Sequence, residues 1–254
     1  MTSEEIVRVV RERCAQDGLD LVQPFAVRWY NDAVQCLYRL PDYGRASTLG
    51  VLIGNTRALW PCFVRALRAQ PQRLAEPHPL DAFVEERVRH ALLPITTRWE
   101  VRWAHEAPPR RIAMQRLAHA AGLAYLSPAH LSVHATYGPW IALRAAAVVD
   151  VDGPIDVPPE LPNPCATTAG PTRSTDPAPA AGCEQSCMTR FRNAVAAAGI
   201  LGSHTAVKQH WQLWVAVRDA CAVGRAHRYS EEQIHYHYTK DIRVLRGLVE
   251  RAAV

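Results

Sequence analysis

The stretch PWIALRAAAVVD (139–150) constrains this chain most. It reads as a strand that is apolar along its length except for one arginine. Side chains alternate across a strand, so Trp140, Ala142 and Arg144 are expected on one face. A guanidinium among apolar neighbours is costly unless it meets an anion or a carboxylate. Arg144 is therefore either a satisfied structural arginine or a binding group.

Two more segments have strand character. RWEVRWA (98–104) alternates, with Trp99, Val101 and Trp103 on one face and Arg98, Glu100 and Arg102 on the other, as a half-buried strand would. STLGVLIGN (47–55) is a short apolar run, and Asn55 then offers an N-cap to TRALWPCFVRALRAQ, where Pro61 marks a kink or the helix start. Thr2 and Glu5 form a capping box opening an amphipathic helix through Ile6, Val9 and Val10, with Gly18 placed to close it. PLDAFVEERVRHALL (79–93) reads as a further helix. RRIAMQRLAHAAGLAYL (110–126) is an Ala-rich helical stretch that can approach a neighbour closely, and it carries His119. FRNAVAAAGILG reads as another helix, and HWQLWVAVRDA (210–220) carries Trp211, Trp214 and Arg218.

HRYSEEQIHYHY (227–238) reads as a helix start. Ser230 and Gln233 form a second capping box, and Tyr229 and Ile234 fall at the positions of a hydrophobic staple. Ile234, Tyr238, Ile242, Leu245 and Val249 draw one apolar stripe downstream. His235 and His237 are two apart, point away from each other on a helix and cannot share a metal. Early strands with helices interspersed, and no phosphate-binding glycine loop, predict an α+β fold on a mostly antiparallel sheet rather than a Rossmann domain.

With 254 residues, 48% of them hydrophobic, the chain can bury a sizeable core as one domain spanning 1–254. A proline-rich excursion is expected within it: Val151 to Gly182 holds eight of the 19 prolines, and with the following cysteines it runs to 188. The net charge of +5 is spread along the sequence, which suggests anionic small ligands, and no nucleic-acid signature accompanies it. The charged N-terminus lacks an apolar leader, and no stretch approaches the roughly 18 apolar residues of a membrane span, so a cytoplasmic protein without membrane contact is expected. Seven irregularly spaced cysteines fit reduced thiols. Cys183 and Cys187 of CEQSC, with Cys165, are the candidates for a metal or redox pair, and loose structural thiols are the simpler reading.

Pattern alone shows no catalytic triad, zinc quartet or nucleotide loop. Several segments, however, together resemble the CblC (MMACHC) family of cobalamin-processing proteins, cyanocobalamin reductases and alkylcobalamin dealkylases. They are PFAVRWYND (24–32), LGVLIGNTRALW (49–60), HAAGLAY (119–125), HATYGPWIALR (134–144), HWQLW with RDA, and RYSEEQ (228–233). They occur in the family's order and cover most of the chain outside the excursion.

The resemblance implies a flavin-reductase-like or nitroreductase-like fold that binds base-off cobalamin and removes its upper axial ligand. In that family alkyl groups pass to glutathione, and cyanide leaves on reduction through a flavin, FMN or FAD. It implies cobalamin contacts at His119, Tyr125, Trp140, Trp214 and Tyr229, and glutathione contacts at Arg144 and Arg218. The third family arginine falls at Arg243 or Arg246, and Arg243 is taken. No catalytic residue is assigned. The implied partners are cobalamin, a thiol and a downstream cobalamin-trafficking protein, for a monomer or homodimer. Two other readings stand beside this one: a carrier that binds cobalamin without turnover, and a same-fold flavin- or metal-dependent enzyme for another substrate.

Overall fold

Eight consecutive buried residues make Thr48–Asn55 an interior strand, covered on both faces. The computed structural model describes residues 1–156, 160–165, 183–198 and 204–251, without the side chains of 183–185 and 204. Its strands are β1 (Leu21–Ala26), β2 (Thr48–Asn55), β3 (Trp99–Trp103), β4 (Tyr125–Leu126), β5 (Ser132–Val133) and β6 (Ala142–Asp152). Four of them form one antiparallel sheet in the order β1-β2-β6-β3, and β4 pairs with β5 apart from it.

The α-helices are α1 (Ser3–Gln16), α2 (Val27–Asn31), α3 (Leu59–Ala69), α4 (Pro79–Leu92), α5 (Met114–Ala120), α6 (Cys183–Ala198), α7 (His204–Gln209), α8 (Trp211–Asp219), α9 (Glu231–Thr239) and α10 (Ile242–Glu250). On one face of the sheet, Leu49, Val51, Ile53, Val101, Ala145 and Ala147 pack against α1, α3 and α4, with Tyr236 and Leu245 closing the layer. On the other face, Phe25, Leu52, Ala146 and Val148 meet Val27, Tyr30, Leu117 and Ala118 of α2 and α5. Gly50 is needed on this face because the Phe25 ring occupies the place of its side chain: a Cβ there would lie 2.2 Å from the ring. The α+β, antiparallel expectation holds. Among the described residues no helix is long and apolar enough to cross a membrane.

Local signals place most elements well. Both arms of the Thr2–Glu5 capping box form, at 3.2 and 2.8 Å, and Gly18 turns the chain with φ +78°. Trp99, Val101 and Trp103 face one core as expected, and Pro61 lies in the first turn of α3.

Four expectations are corrected. Asn55 does not cap α3; the helix begins at Leu59 with no side-chain cap, because the Asn55 side chain turns into the sheet. The helical reading of 110–126 shrinks to α5, since Gly122 at φ +74° ends the helix and Tyr125 starts a strand. Only one arm of the Ser230–Gln233 box is present: Ser230 Oγ accepts from Gln233 N at 3.2 Å, while the Gln233 amide is buried 3.4 Å from His237 Nε2. The stripe from Ile234 to Val249 spans two helices, because Lys240 adopts φ +55° and Asp241 caps α10 through Arg243 N.

The excursion leaves the sheet along the protein surface. Gly153 N donates to Ser47 O, Ser47 Oγ to Pro154 O, and Arg28 to Ile155 O. Residues 157–159 and 166–182 of it lie outside the described residues.

Candidate functional site

Arg144 stands where β6 is irregular. Ile53 pairs with Ala145 and Gly54 with Leu143, so Arg144 is the extra residue of a bulge. A bulge breaks the period-two rule and re-aims a side chain. Arg144 therefore does not share a face with Trp140 by simple alternation, as the sequence pattern had it. Its side chain is only 11% exposed and runs toward α4, where Nη1 lies 3.8 Å from Asp81. Nε donates to Asn55 Oδ1 at 2.7 Å, and Nη2 is buried with no hydrogen-bond partner among the described residues.

A cavity of about 1320 Å³ opens beside Arg144. Asp81, His78, Trp103, Lys208 and Lys240 line it with Arg144. Burial pulls the Arg144 guanidinium below its ordinary value, while Tyr229, Asp81 and Tyr236 act to raise it. It remains charged at any physiological pH. Burial also lowers Lys240, with Arg144 and Lys208 adding repulsion and Asp81 opposing them. This end of the cavity is thus cationic, with an arginine whose charge is incompletely neutralised.

Behind Arg144 lies an aromatic cluster. Trp140 and Tyr229, 1% and 2% exposed, meet with ring centroids 5.6 Å apart, packed by Val215 and Ile234. Tyr229 Oη donates to Asn55 O at 3.4 Å, so one asparagine touches both Arg144 and Tyr229. Two guanidiniums flank the Trp140 ring, Arg218 at 5.6 Å and Arg228 at 5.3 Å from its centroid. Arg228 is held by Asp219 and Glu231, whereas Arg218 has no ion-pair partner among the described residues.

Burial pushes the Tyr229 hydroxyl up to about 12, against the pull of Arg218 and Arg144. His237, with its ring 5.6 Å from Tyr229 and 6.1 Å from Trp60, is held well below its ordinary value by burial and by the nearby cations Arg144, Lys240 and Arg218. It is neutral here.

Of the residues singled out from sequence, the structure gathers Trp140, Arg144, Arg218 and Tyr229. The others lie elsewhere. His119 and Tyr125 form an edge-on pair at 5.5 Å, and His119 Nδ1 accepts from Leu126 N at 3.3 Å. Trp214 packs on Phe191 of α6 at 6.1 Å, in a separate cluster with Ala129, Ala194, Val217 and Cys187. Its Nε1 is buried without a hydrogen-bond partner among the described residues. Arg243 is 84% exposed and bound to Asp241.

Among the described residues no cluster of metal-ligating side chains forms, and the Cys183 side chain of the CEQSC pair lies outside them. Asn55, Asp81, His237 and Lys240 belong to this site yet were not singled out for it from sequence. The one available signal was an asparagine ending an apolar strand, and it was spent on a helix cap.

No family model matches the chain. Curated relatives do. The mouse protein named cyanocobalamin reductase / alkylcobalamin dealkylase is 28% identical over 245 residues, 86% of this chain and 73% of that protein. The bovine protein of the same name is 29% identical over 238 residues, 86% of this chain and 72% of that one. The human one is 28% identical over 242 residues, with the same coverage as the bovine protein.

Among solved structures, a C. elegans B12-trafficking protein CblC, described as a human MMACHC homologue, superposes with a TM-score of 0.72 at 21% identity. The match covers 98% of this chain and 97% of that one. Epoxyqueuosine reductase, solved with a modified tRNA stem loop, gives a TM-score of 0.51 at 10% identity over 96% of this chain and 71% of its own. That second likeness concerns the architecture alone. The chain is thus similar in sequence, along most of its length, to the cyanocobalamin reductases / alkylcobalamin dealkylases, and it shares the fold of a CblC protein from end to end.

Proposed function

We propose that this protein binds cobalamin with its lower base displaced and removes the upper axial ligand. Alkyl groups go to the thiolate of glutathione, and cyanide leaves on reduction. The observation that carries this reading is the Nη2 of Arg144, buried and unpartnered beside a cavity of about 1320 Å³ that Lys208 and Lys240 also line. Such a volume exceeds the roughly 300–1,000 Å³ of ordinary small-molecule pockets and suits a large substrate. An orphaned guanidinium nitrogen suits a carboxylate of the thiol, or equally a flavin phosphate. Named relatives of the chain carry both activities in their names.

The chemistry asked of the protein is modest. In dealkylation the thiolate sulfur attacks the alkyl carbon. A C–S bond forms and the Co–C bond breaks, with its electron pair staying on cobalt, which falls from +3 to +1; the thiol proton goes to solvent. Loss of cyanide needs electrons from outside, and a reduced flavin, when bound, supplies them.

The chain's own residues bind, orient and exclude water. Arg144 and Arg218 hold anionic ends of the thiol and favour its ionised sulfur nearby. Trp140 and Tyr229, packed behind Arg144 with Val215 and Ile234, keep water from the back of the site. Tyr229, pushed up to about 12, stays protonated and serves as a hydrogen-bonding aromatic rather than a base. His119 and Tyr125 are read as the base-tail side, and Trp214, with its unpartnered Nε1, as a further cobalamin contact.

The test is an anaerobic visible-spectrum titration of the full chain with methylcobalamin, followed by glutathione. The expected outcome is a base-off spectrum on binding, then reduced cobalamin and S-methylglutathione in equal amounts. A base-off shift without product would make the protein a carrier. Absence of any shift would end the cobalamin reading.

A further inference from the structure

Asn55 touches both Arg144 and Tyr229 and has no assigned part in the site. It is fully enclosed, 0% exposed, at the end of β2. Its Oδ1 accepts from Arg144 Nε at 2.7 Å, its Nδ2 donates to Thr56 O at 2.6 Å, and its carbonyl accepts from Tyr229 Oη at 3.4 Å. The next residue is clasped in turn, since Asp20 accepts from Thr56 N at 2.7 Å and from Thr56 Oγ1 at 2.5 Å. Every polar group of the Asn55 side chain is therefore used inside the protein.

The consequence for Arg144 is geometric and electrostatic. A guanidinium is planar, so holding it at Nε fixes its plane and leaves the two Nη groups turned away from the holder. Here Nη1 faces Asp81 at 3.8 Å, and Nη2 has no hydrogen-bond partner among the described residues. Because Asn55 is neutral, it orients the cation without cancelling its charge. A carboxylate in the same place would make a buried ion pair and remove the positive field from the cavity.

We infer that Asn55 is the positioning residue that aims Arg144 at an anionic group of the thiol substrate and ties Tyr229 to the same point. This inference rests on the reading of Arg144 as a thiol-binding group.

The discriminating variant is Asn55→Asp, which keeps the size and the Oδ1 acceptor and adds a charge. Two thiols separate positioning from packing: glutathione, which carries carboxylates, and 2-mercaptoethanol, which carries none. For the Asn55→Asp chain we expect the glutathione KM in methylcobalamin dealkylation to rise tenfold or more. The kcat should stay within about threefold, and 2-mercaptoethanol turnover and the base-off titration should be unchanged. Calorimetric binding of S-methylglutathione, which has no free thiol, should weaken by the same factor.

A glutathione KM and S-methylglutathione affinity within twofold of the unaltered chain would overturn the inference, as would equal losses with both thiols. If Asn55→Asp does not fold, Asp20→Asn loosens the clasp from an exposed position. It should raise the glutathione KM several-fold without touching 2-mercaptoethanol, and no change there overturns the inference too. The two readings fail differently. A missing base-off shift in the unaltered chain removes the cobalamin function, whereas a normal shift with thiol binding indifferent to residue 55 removes only the role of Asn55.

Discussion

Gly138 and Gly224 lie backbone against backbone, at φ +56° and +74°. A Cβ on Gly138 would sit 2.0 Å from Val223 O, and one on Gly224 would sit 2.2 Å from the Tyr137 carbonyl carbon. This contact joins the loop before Trp140 to the loop before Tyr229, and so sets the distance between the two rings of the site. Alanine at either position would meet backbone that has no easy way to yield, in a conformation costing about 1–2 kcal/mol for a residue with a Cβ. Gly138→Ala and Gly224→Ala should each lower unfolding free energy by more than about 2 kcal/mol, read by urea titration of tryptophan fluorescence. Values within about 0.5 kcal/mol of the unaltered chain would mean that the loops are not held in this contact.

The arginines should separate by burial. Arg144→Ala and Arg218→Ala are expected to raise the glutathione KM by tenfold or more while leaving the base-off titration with methylcobalamin nearly unchanged. Arg243→Ala should alter neither by more than about twofold, since Arg243 is 84% exposed and already bound to Asp241. A large thiol defect in Arg243→Ala would show that α10 moves to meet the substrate.

Tyr229→Phe keeps the ring that packs on Trp140 and removes one buried hydrogen bond of 3.4 Å to Asn55 O. A loss of about 1 kcal/mol in stability is expected, typical of a net intramolecular hydrogen bond. Because the hydroxyl is pushed up to about 12, the pH profile of turnover between pH 6 and 9 should be the same in both chains. A profile whose basic limb disappears in Tyr229→Phe would identify Tyr229 as a titrating group.

His237 couples stability to pH. Its folded value lies well below the ordinary histidine range, so the unfolded chain binds a proton that the native one refuses. Stability is full above the unfolded value, near 6.5, and falls as pH drops below it until the folded value is reached. The slope is at most about 1.4 kcal/mol per pH unit for this one group. His134, also lowered by burial, adds in the same direction. Urea midpoints should therefore decline from about pH 6.5 toward pH 5, and His237→Gln should flatten that decline. An unchanged slope in the variant would assign the effect elsewhere.

The local elements were legible from residues a few positions apart. The Thr2–Glu5 box, the alternation of β3 and the limits of α4 depend on caps, periodicity and proline, which act within one or two turns of chain. The family segments, too, could be read in order along the chain, and they carried Trp140, Arg144, Arg218 and Tyr229 with them. The tertiary structure alone decided what those residues touch. The bulge that redirects Arg144 exists only in the pairing of β6 with β2, some ninety residues away, and no property of WIALR announces it. Asn55 could satisfy its amide at a helix start or inside the sheet, and the buried guanidinium decided between them. Gln233 gave up one arm of its capping box to reach His237, and Lys240 broke one apolar stripe into two helices. For Asn55 and Arg144 a short-range preference worth about 1 kcal/mol gave way to burial and to pairing with partners far off in the chain, whereas Gln233 and Lys240 were decided by burial around α9.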